Sequence, residues 1–90
     1  MRFAIMTTDK PGALQVRVEN RPAHLDYLKE TGCVEMAGPF LNDTGDMCGS
    51  LIVIERDSLA EAQDWAENDP YNKAGLFLDV RIQEWKKVIG

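Results

Sequence analysis

Residues 49–62 read Gly49-Ser50-Leu51-Ile52-Val53-Ile54-Glu55-Arg56-Asp57-Ser58-Leu59-Ala60-Glu61-Ala62, and the fold is decided here. The unbroken apolar run from Leu51 to Ile54 marks a strand, Gly49 to Glu55, with apolar side chains on both faces. Ser58 followed by Glu61 is a capping box, in which the two side chains satisfy free N–H groups at a helix start. Leu59, Ala62 and Ala66 then recur at the spacing of one helix face, and Pro70 ends the helix by biasing Asp69 away from helical geometry.

The remaining segments arrange themselves around this strand and helix. Arg2–Thr7 is short, apolar and strand-like, and stops at the turn cluster Asp9-Lys10-Pro11-Gly12. Between Ala13 and Thr31 the spacing is helical, with Leu14 and Val18 four apart, Leu25 and Leu28 three apart, and Pro22 between the pairs. This predicts a helical turn over Ala13–Glu19, then a helix capped by Asn20 or Arg21, with Pro22 in its first turn and Gly32 just past its end. Cys33–Ala37 reads as a strand stopped by Gly38-Pro39, and Asn42-Asp43-Thr44-Gly45-Asp46 as a hairpin loop. Leu76, Leu78, Val80 and Ile82 alternate with Phe77, Asp79 and Arg81, the period-two pattern of a last strand.

The order strand, helix, strand, strand, helix, strand is the ferredoxin-like βαββαβ arrangement, an α+β fold with an antiparallel four-stranded sheet. Its helices cover one sheet face. The apolar third strand and the alternating fourth strand predict that a second copy covers the other, making a homodimer.

At 90 residues the chain has room for a single domain, residues 1–90. With 44% hydrophobic and 28% charged residues, its composition is that of an ordinary folded domain. A net charge of −5 and a pI near 4.7 have the wrong sign for a surface that neutralises phosphates, which argues against a nucleic-acid partner. No apolar stretch approaches the roughly 20 residues of a membrane span, and no leader is visible, so a cytoplasmic protein without a membrane partner is expected. Cys33 and Cys48 have neither C-x-x-C spacing nor a histidine pair, which argues against a disulfide framework or a structural metal; they read as small buried hydrophobes. Nucleotide-binding glycine patterns, RNA-binding aromatic motifs and a nucleophile elbow around Ser50 are all missing, and Asp43–Asp46 lacks the ligand spacing of a calcium loop.

His24 is the sole histidine, the side chain type whose ordinary titration lies nearest neutrality. Placed two residues after Pro22, it falls in the first helical turn, where the helix dipole would favour the proton-accepting ring. Asp69 at a helix C-terminus faces the negative end of the dipole, a mildly unfavourable place for a carboxylate. The plain reading makes His24 a histidine on the helix surface or one satisfied by a single core hydrogen bond, and Asp69 the start of a turn with Pro70. The functional reading brings them together in space, the carboxylate fixing the ring's tautomer and orientation for general base catalysis.

Arg21-Pro22-Ala23-His24-Leu25, Ala37-Gly38-Pro39, Gly49-Ser50, Ser58-Leu59-Ala60-Glu61-Ala62-Gln63, Asp69-Pro70-Tyr71 with Ala74-Gly75, and Trp85-Lys86-Lys87-Val88 together resemble the YCII-related (YciI-like) family. The likeness spans essentially the whole chain; it is weakest at Glu84-Trp85, where a Pro-Phe pair is more usual. The resemblance implies a ferredoxin-like subunit that dimerises through its sheet into an α+β barrel. It also implies a pocket around a His/Asp pair, here His24 and Asp69, with Arg21, Gly38, Pro39, Ser50 and Tyr71 as binding positions. Elimination chemistry on small ring compounds has precedent in the family, so a lyase, isomerase or dehydrochlorinase-like enzyme with no cofactor is expected. The alternatives are a non-catalytic dimer that holds a small ligand, and a purely structural His/Asp pair. A metal on His24 and Asp69 is a poor fit, because one imidazole and one carboxylate leave most coordination positions to water.

Overall fold

The computed structural model describes residues 1–90. Its elements are β1 (Arg2–Asp9), α1 (Leu14–Thr31), β2 (Val34–Leu41), β3 (Met47–Glu55), α2 (Leu59–Glu67), the short α3 (Pro70–Lys73) and β4 (Phe77–Trp85). The strands form one antiparallel sheet in the order β2-β3-β1-β4, so the ferredoxin-like arrangement is realised with α3 as an added turn between α2 and β4. No helix is long and apolar enough to cross a membrane.

Pairing register assigns the faces. Phe3, Ile5 and Thr7 of β1 stand opposite Ile54, Ile52 and Ser50 of β3 and share one face, because residues directly opposite in an antiparallel pair point the same way. Phe3, Ile5, Ile52 and Ile54 join Leu28, Ala62, Trp65 and Ala66 from the helices in the hydrophobic core. Burying that apolar face against α1 and α2 is the main favourable term in the fold. Ala4, Met6, Leu51 and Val53 alternate with these residues and point to the face that no helix covers. The β3 run therefore supplies apolar side chains to both faces, as its sequence predicts.

Several boundaries differ from the sequence expectation. α1 is one continuous helix of 18 residues with Pro22 inside it, not a turn followed by a second helix. The proline forgoes one intrahelical hydrogen bond, but the buried Arg17, His24 and Leu28 anchor the helix on both sides of it. β2 runs through Gly38-Pro39 to Leu41. It is an edge strand, where a missing N–H can face away from the ladder.

In β4, Val80 and Ile82 pair with Thr7 and Ile5 and so face the chain's own helices; the open face carries Asp79, Arg81 and Gln83. The fourth strand's alternation thus reports internal packing rather than a second copy. A register shift near Thr8 and Asp9 leaves Leu78 out of the row, 63% exposed. The capping box forms, with Glu61 N–H donating to Ser58 Oγ, although the Glu61 carboxylate reaches the N–H of Asp57 rather than that of Ser58.

Candidate active site

The site is built on the buried side of α1. Arg17, Arg21, His24 and Leu28 fall at i, i+4, i+7 and i+11, one helix stripe, and Arg17, His24 and Leu28 are buried. Leu14, Val18 and Leu25, which the apolar spacing suggested as the inner face, are 38%, 49% and 39% exposed. His24 consequently lies in the helix interior and not in its first turn. The dipole, whose effect falls off within the end turns, does not set its state.

Its orientation comes from two contacts instead. His24 Nδ1 lies 2.8 Å from Asp69 Oδ1, and the imidazole stacks on the Tyr71 ring with centroids 3.8 Å apart and planes 14° from parallel. Asp69 follows the C-cap of α2 and is itself the N-cap of α3, where its Oδ1 accepts the Tyr71 N–H at 2.9 Å. A carboxylate at this N-cap is favourably placed, which replaces the unfavourable C-terminal reading. Since Oδ1 accepts from a backbone N–H, the natural arrangement toward His24 is for Nδ1–H to donate to the same oxygen. The lone pair then resides on Nε2, which bonds to no atom of the chain. Both side chains are withdrawn from water, at 7% and 2% exposure, so the pair is held in a single geometry.

A second buried pair lies beside the first. Arg17 Nε donates to Asp9 Oδ2 at 2.7 Å and Nη2 to Oδ1 at 2.9 Å, a bidentate bridge between α1 and the end of β1. Nη2 also donates to Ser50 Oγ at 3.1 Å, and the guanidinium carbon lies 4.7 Å from the Tyr71 ring centre. Burial opposes the charge on Arg17, but the hydrogen bonds it donates to Asp9 and that carboxylate's charge, with Tyr71 adding to them, outweigh it and raise the guanidinium above its ordinary value. Burial also pushes the Tyr71 phenol up, against the opposing pull of Arg17 and Arg21, so the hydroxyl keeps its proton well into the alkaline range. Gly49 sets Ser50 in place: a Cβ at residue 49 would come within 2.2 Å of the Thr7 carbonyl oxygen, so only glycine permits this approach of β3 to β1.

These residues surround a cavity of about 120 Å³. Of the sequence candidates, Arg21, His24, Gly38, Pro39, Ser50 and Tyr71 line it, and Asp69 lies behind the imidazole. The apolar part of the wall includes Leu25, Leu28, Ala37, Met47 and Ile52. Sequence reasoning missed Arg17 and Asp9; the available signal was Arg17 standing four residues before Arg21 and seven before His24. Metal-type donors are sparse, because His24 and Asp69 stand alone and no three His, Cys, Asp or Glu side chains gather anywhere in the chain.

Comparison with known proteins gives the chain's relatives. The model of a family described as the YCII-related domain matches residues 1–86. Protein YciI of Escherichia coli is 38% identical over 97 aligned positions, covering 98% of this chain and 99% of the relative. An uncharacterized protein of Haemophilus influenzae is 33% identical over the same span. Among solved structures, the 5-chloro-2-hydroxyhydroquinone dehydrochlorinase TftG of Burkholderia phenoliruptrix, in complex with 2,5-dihydroxybenzoquinone, superposes with a TM-score of 0.87 at 41% identity. That match covers 96% of this chain and 94% of TftG. An antibiotic biosynthesis monooxygenase shares the fold at a TM-score of 0.60 and 10% identity.

Proposed function

Since the chain belongs to the YCII-related family, we propose that it is a cofactor-independent enzyme acting on a small hydroxylated ring compound. The observation that carries this reading is the His24 ring, its Nδ1 tied to Asp69 and its Nε2 left without a partner at a cavity sized for one ring. A cavity of roughly 150 Å³ holds a benzene molecule, and this one, at about 120 Å³ and open at its mouth, is of that order.

The reaction class that suits these groups is elimination driven by proton transfer, the chemistry that the TftG name describes. In it, the substrate reacts as its keto tautomer, whose halide sits on a tetrahedral CHX ring carbon next to a C=C–OH group; Nε2 takes the proton of that hydroxyl and the O–H bonding pair becomes the carbonyl π bond. The adjacent C=C pair shifts one bond along the ring, and the halide departs with the C–X pair. The net change is loss of HX, without oxidant or reductant. Asp69 stabilises the imidazolium that forms, and exposed Arg21, which makes no ion pair in the chain, is available for the negative oxygen. General base catalysis of this kind typically supplies roughly 10²–10⁴-fold in rate.

The subunit also has a face for a partner. Met36 and Phe40 on the helix-free side of the sheet are 52% and 44% exposed beside Leu51, and we infer that a second copy covers them. Light scattering then gives about twice the 10.1 kDa chain mass.

The function is tested by mixing the protein with 5-chloro-2-hydroxyhydroquinone and following chloride release. Turnover that His24→Ala abolishes while the circular dichroism spectrum stays unchanged is the expected result. Binding without release of chloride makes the protein a ligand-binding module instead.

A further inference from the structure

Hydrogen-bond accounting in the cavity leaves two buried hydroxyl groups with a proton to give. Ser50 is 4% exposed, and its Oγ already accepts from Arg17 Nη2 at 3.1 Å. Guanidinium cannot accept in return, so the Ser50 proton points elsewhere, and no atom of the chain accepts it. Tyr71 is 1% exposed, its ring fixed by the His24 stack and by the edge contact with Phe77 at 6.2 Å; its hydroxyl is drawn to the Arg17 guanidinium, which can only donate, so the phenol proton has no acceptor in the chain. Both residues line the same cavity. Arg17 cannot serve as the ligand's counter-ion, because its charge is compensated by the bidentate bond to Asp9.

We propose that Ser50 and Tyr71 together donate to one acceptor oxygen of the ligand, and that Arg17 is a positioning residue that turns the Ser50 hydroxyl toward it. The inference rests on the general-base reading of His24 and narrows its substrate class. The ring must carry an acidic hydroxyl facing Nε2 and, elsewhere on the ring, a carbonyl or phenolate oxygen facing the two donors. A hydroxylated quinone or a tautomer of a hydroxyhydroquinone has that pattern, and a plain phenol does not. Holding the second oxygen fixes the ring's rotation in the cavity and so presents the hydroxyl to His24. In an elimination the same donors take up the charge that shifts onto that oxygen.

The competing arrangement is internal. Thr7, cross-strand from Ser50, has a buried hydroxyl with no hydrogen-bond partner, and a small rotation would let Ser50 donate to it. The probe that decides is 2,5-dihydroxybenzoquinone, titrated by calorimetry against wild type, Ser50→Ala, Tyr71→Phe, Thr7→Val, Arg17→Lys and the double variant Arg17→Lys/Ser50→Ala. The expected result is tenfold or greater weakening for Ser50→Ala and for Tyr71→Phe, with Thr7→Val within twofold of wild type. Arg17→Lys weakens binding, and adding it to Ser50→Ala costs nothing more, a coupling that a merely structural arginine would not show. Wild type that fails to bind the probe, or Ser50→Ala and Tyr71→Phe variants that bind it as wild type does, overturns the proposal. The two readings fail separately. A His24→Ala variant that still releases chloride, alongside weakened binding in the Ser50 and Tyr71 variants, removes the general base and leaves the donor pair standing.

Discussion

Replacing Asp69 with asparagine separates the charge of the His24 partner from its geometry. Asp69 Oδ1 accepts two hydrogen bonds, from Tyr71 N–H at 2.9 Å and from His24 Nδ1 at 2.8 Å. Because a backbone N–H can only donate, an asparagine must turn its oxygen, and not its NH2, to that point. The same oxygen then still receives Nδ1–H, so the tautomer is retained, and asparagine caps a helix as well as aspartate does. What disappears is the negative charge beside the imidazolium formed when Nε2 takes a proton. With charge centres about 4 Å apart and an effective dielectric constant of about 20, that attraction is worth about 4 kcal/mol. At about 1.4 kcal/mol per factor of ten, the loss is bounded near 10³-fold. The asparagine variant should lose 10²- to 10³-fold in kcat for chloride release, by the same conversion, with KM nearly unchanged. Its Tm should stay within the roughly 4–8 °C that 1 kcal/mol represents in a domain of this size. Asp69→Ala, by contrast, leaves the Tyr71 N–H buried and unpaired at a cost of about 1–3 kcal/mol and frees the ring to turn. The tautomer is read from the ¹⁵N shifts of the imidazole, which needs no assignment because the chain has a single histidine. If the asparagine variant carries its proton on Nε2, or if both variants lose rate equally, the shared-oxygen reasoning is wrong.

Three further outcomes follow from buried groups. Arg17 and Asp9 are 3% and 6% exposed, so Arg17→Met strands a carboxylate and should cost about 3–5 kcal/mol in urea unfolding, part of which Asp9→Leu in the same chain recovers. Gly49→Ala forces a Cβ to within 2.2 Å of the Thr7 carbonyl oxygen and should cost about 3 kcal/mol or more, or prevent folding, because backbone must separate from backbone between β1 and β3. Burial, helped by Asp69 and Cys33, holds the Tyr27 phenol up at about 12 against an ordinary 10.0, so the folded chain keeps a proton that the unfolded chain gives up. Tyr27 therefore contributes stability that is full below pH 10 and is lost as pH rises toward 12; thermal midpoints across that window should fall less steeply in Tyr27→Phe.

The fold was largely legible because its strands and α2 follow simple rules. The β3 run and the capping box at Ser58 and Glu61 each tie a local pattern to one burial geometry, while the alternation of β4 marks the strand but not the place of Leu78, which a register shift puts out of the row. Proline was the recurrent source of error. Read as punctuation, Pro22 splits a helix and Pro39 stops a strand, yet α1 is anchored by its buried stripe on both sides of Pro22, and Pro39 sits on an edge where no ladder bond is required.

The candidate site was legible through motifs rather than periodicity, and α1 shows why. Periodicity assumes that the buried side of a helix is its apolar side, whereas α1 turns Leu14 and Val18 outward, leaves Leu25 half-exposed at the cavity wall, and buries Arg17 and His24. Such an inversion is unfavourable unless every buried polar group finds a partner. The partners are distant in sequence: Asp9 and Ser50 for Arg17, Asp69 and Tyr71 for His24. No window along the helix contains them, so the compensation is invisible until the chain is folded. The same fact argues for function. A core made only for stability would fill this space with the leucines already present on the helix, while burial of an arginine and a histidine, each aimed by its own carboxylate, leaves the imidazole Nε2 without a partner in the chain at the wall of a cavity.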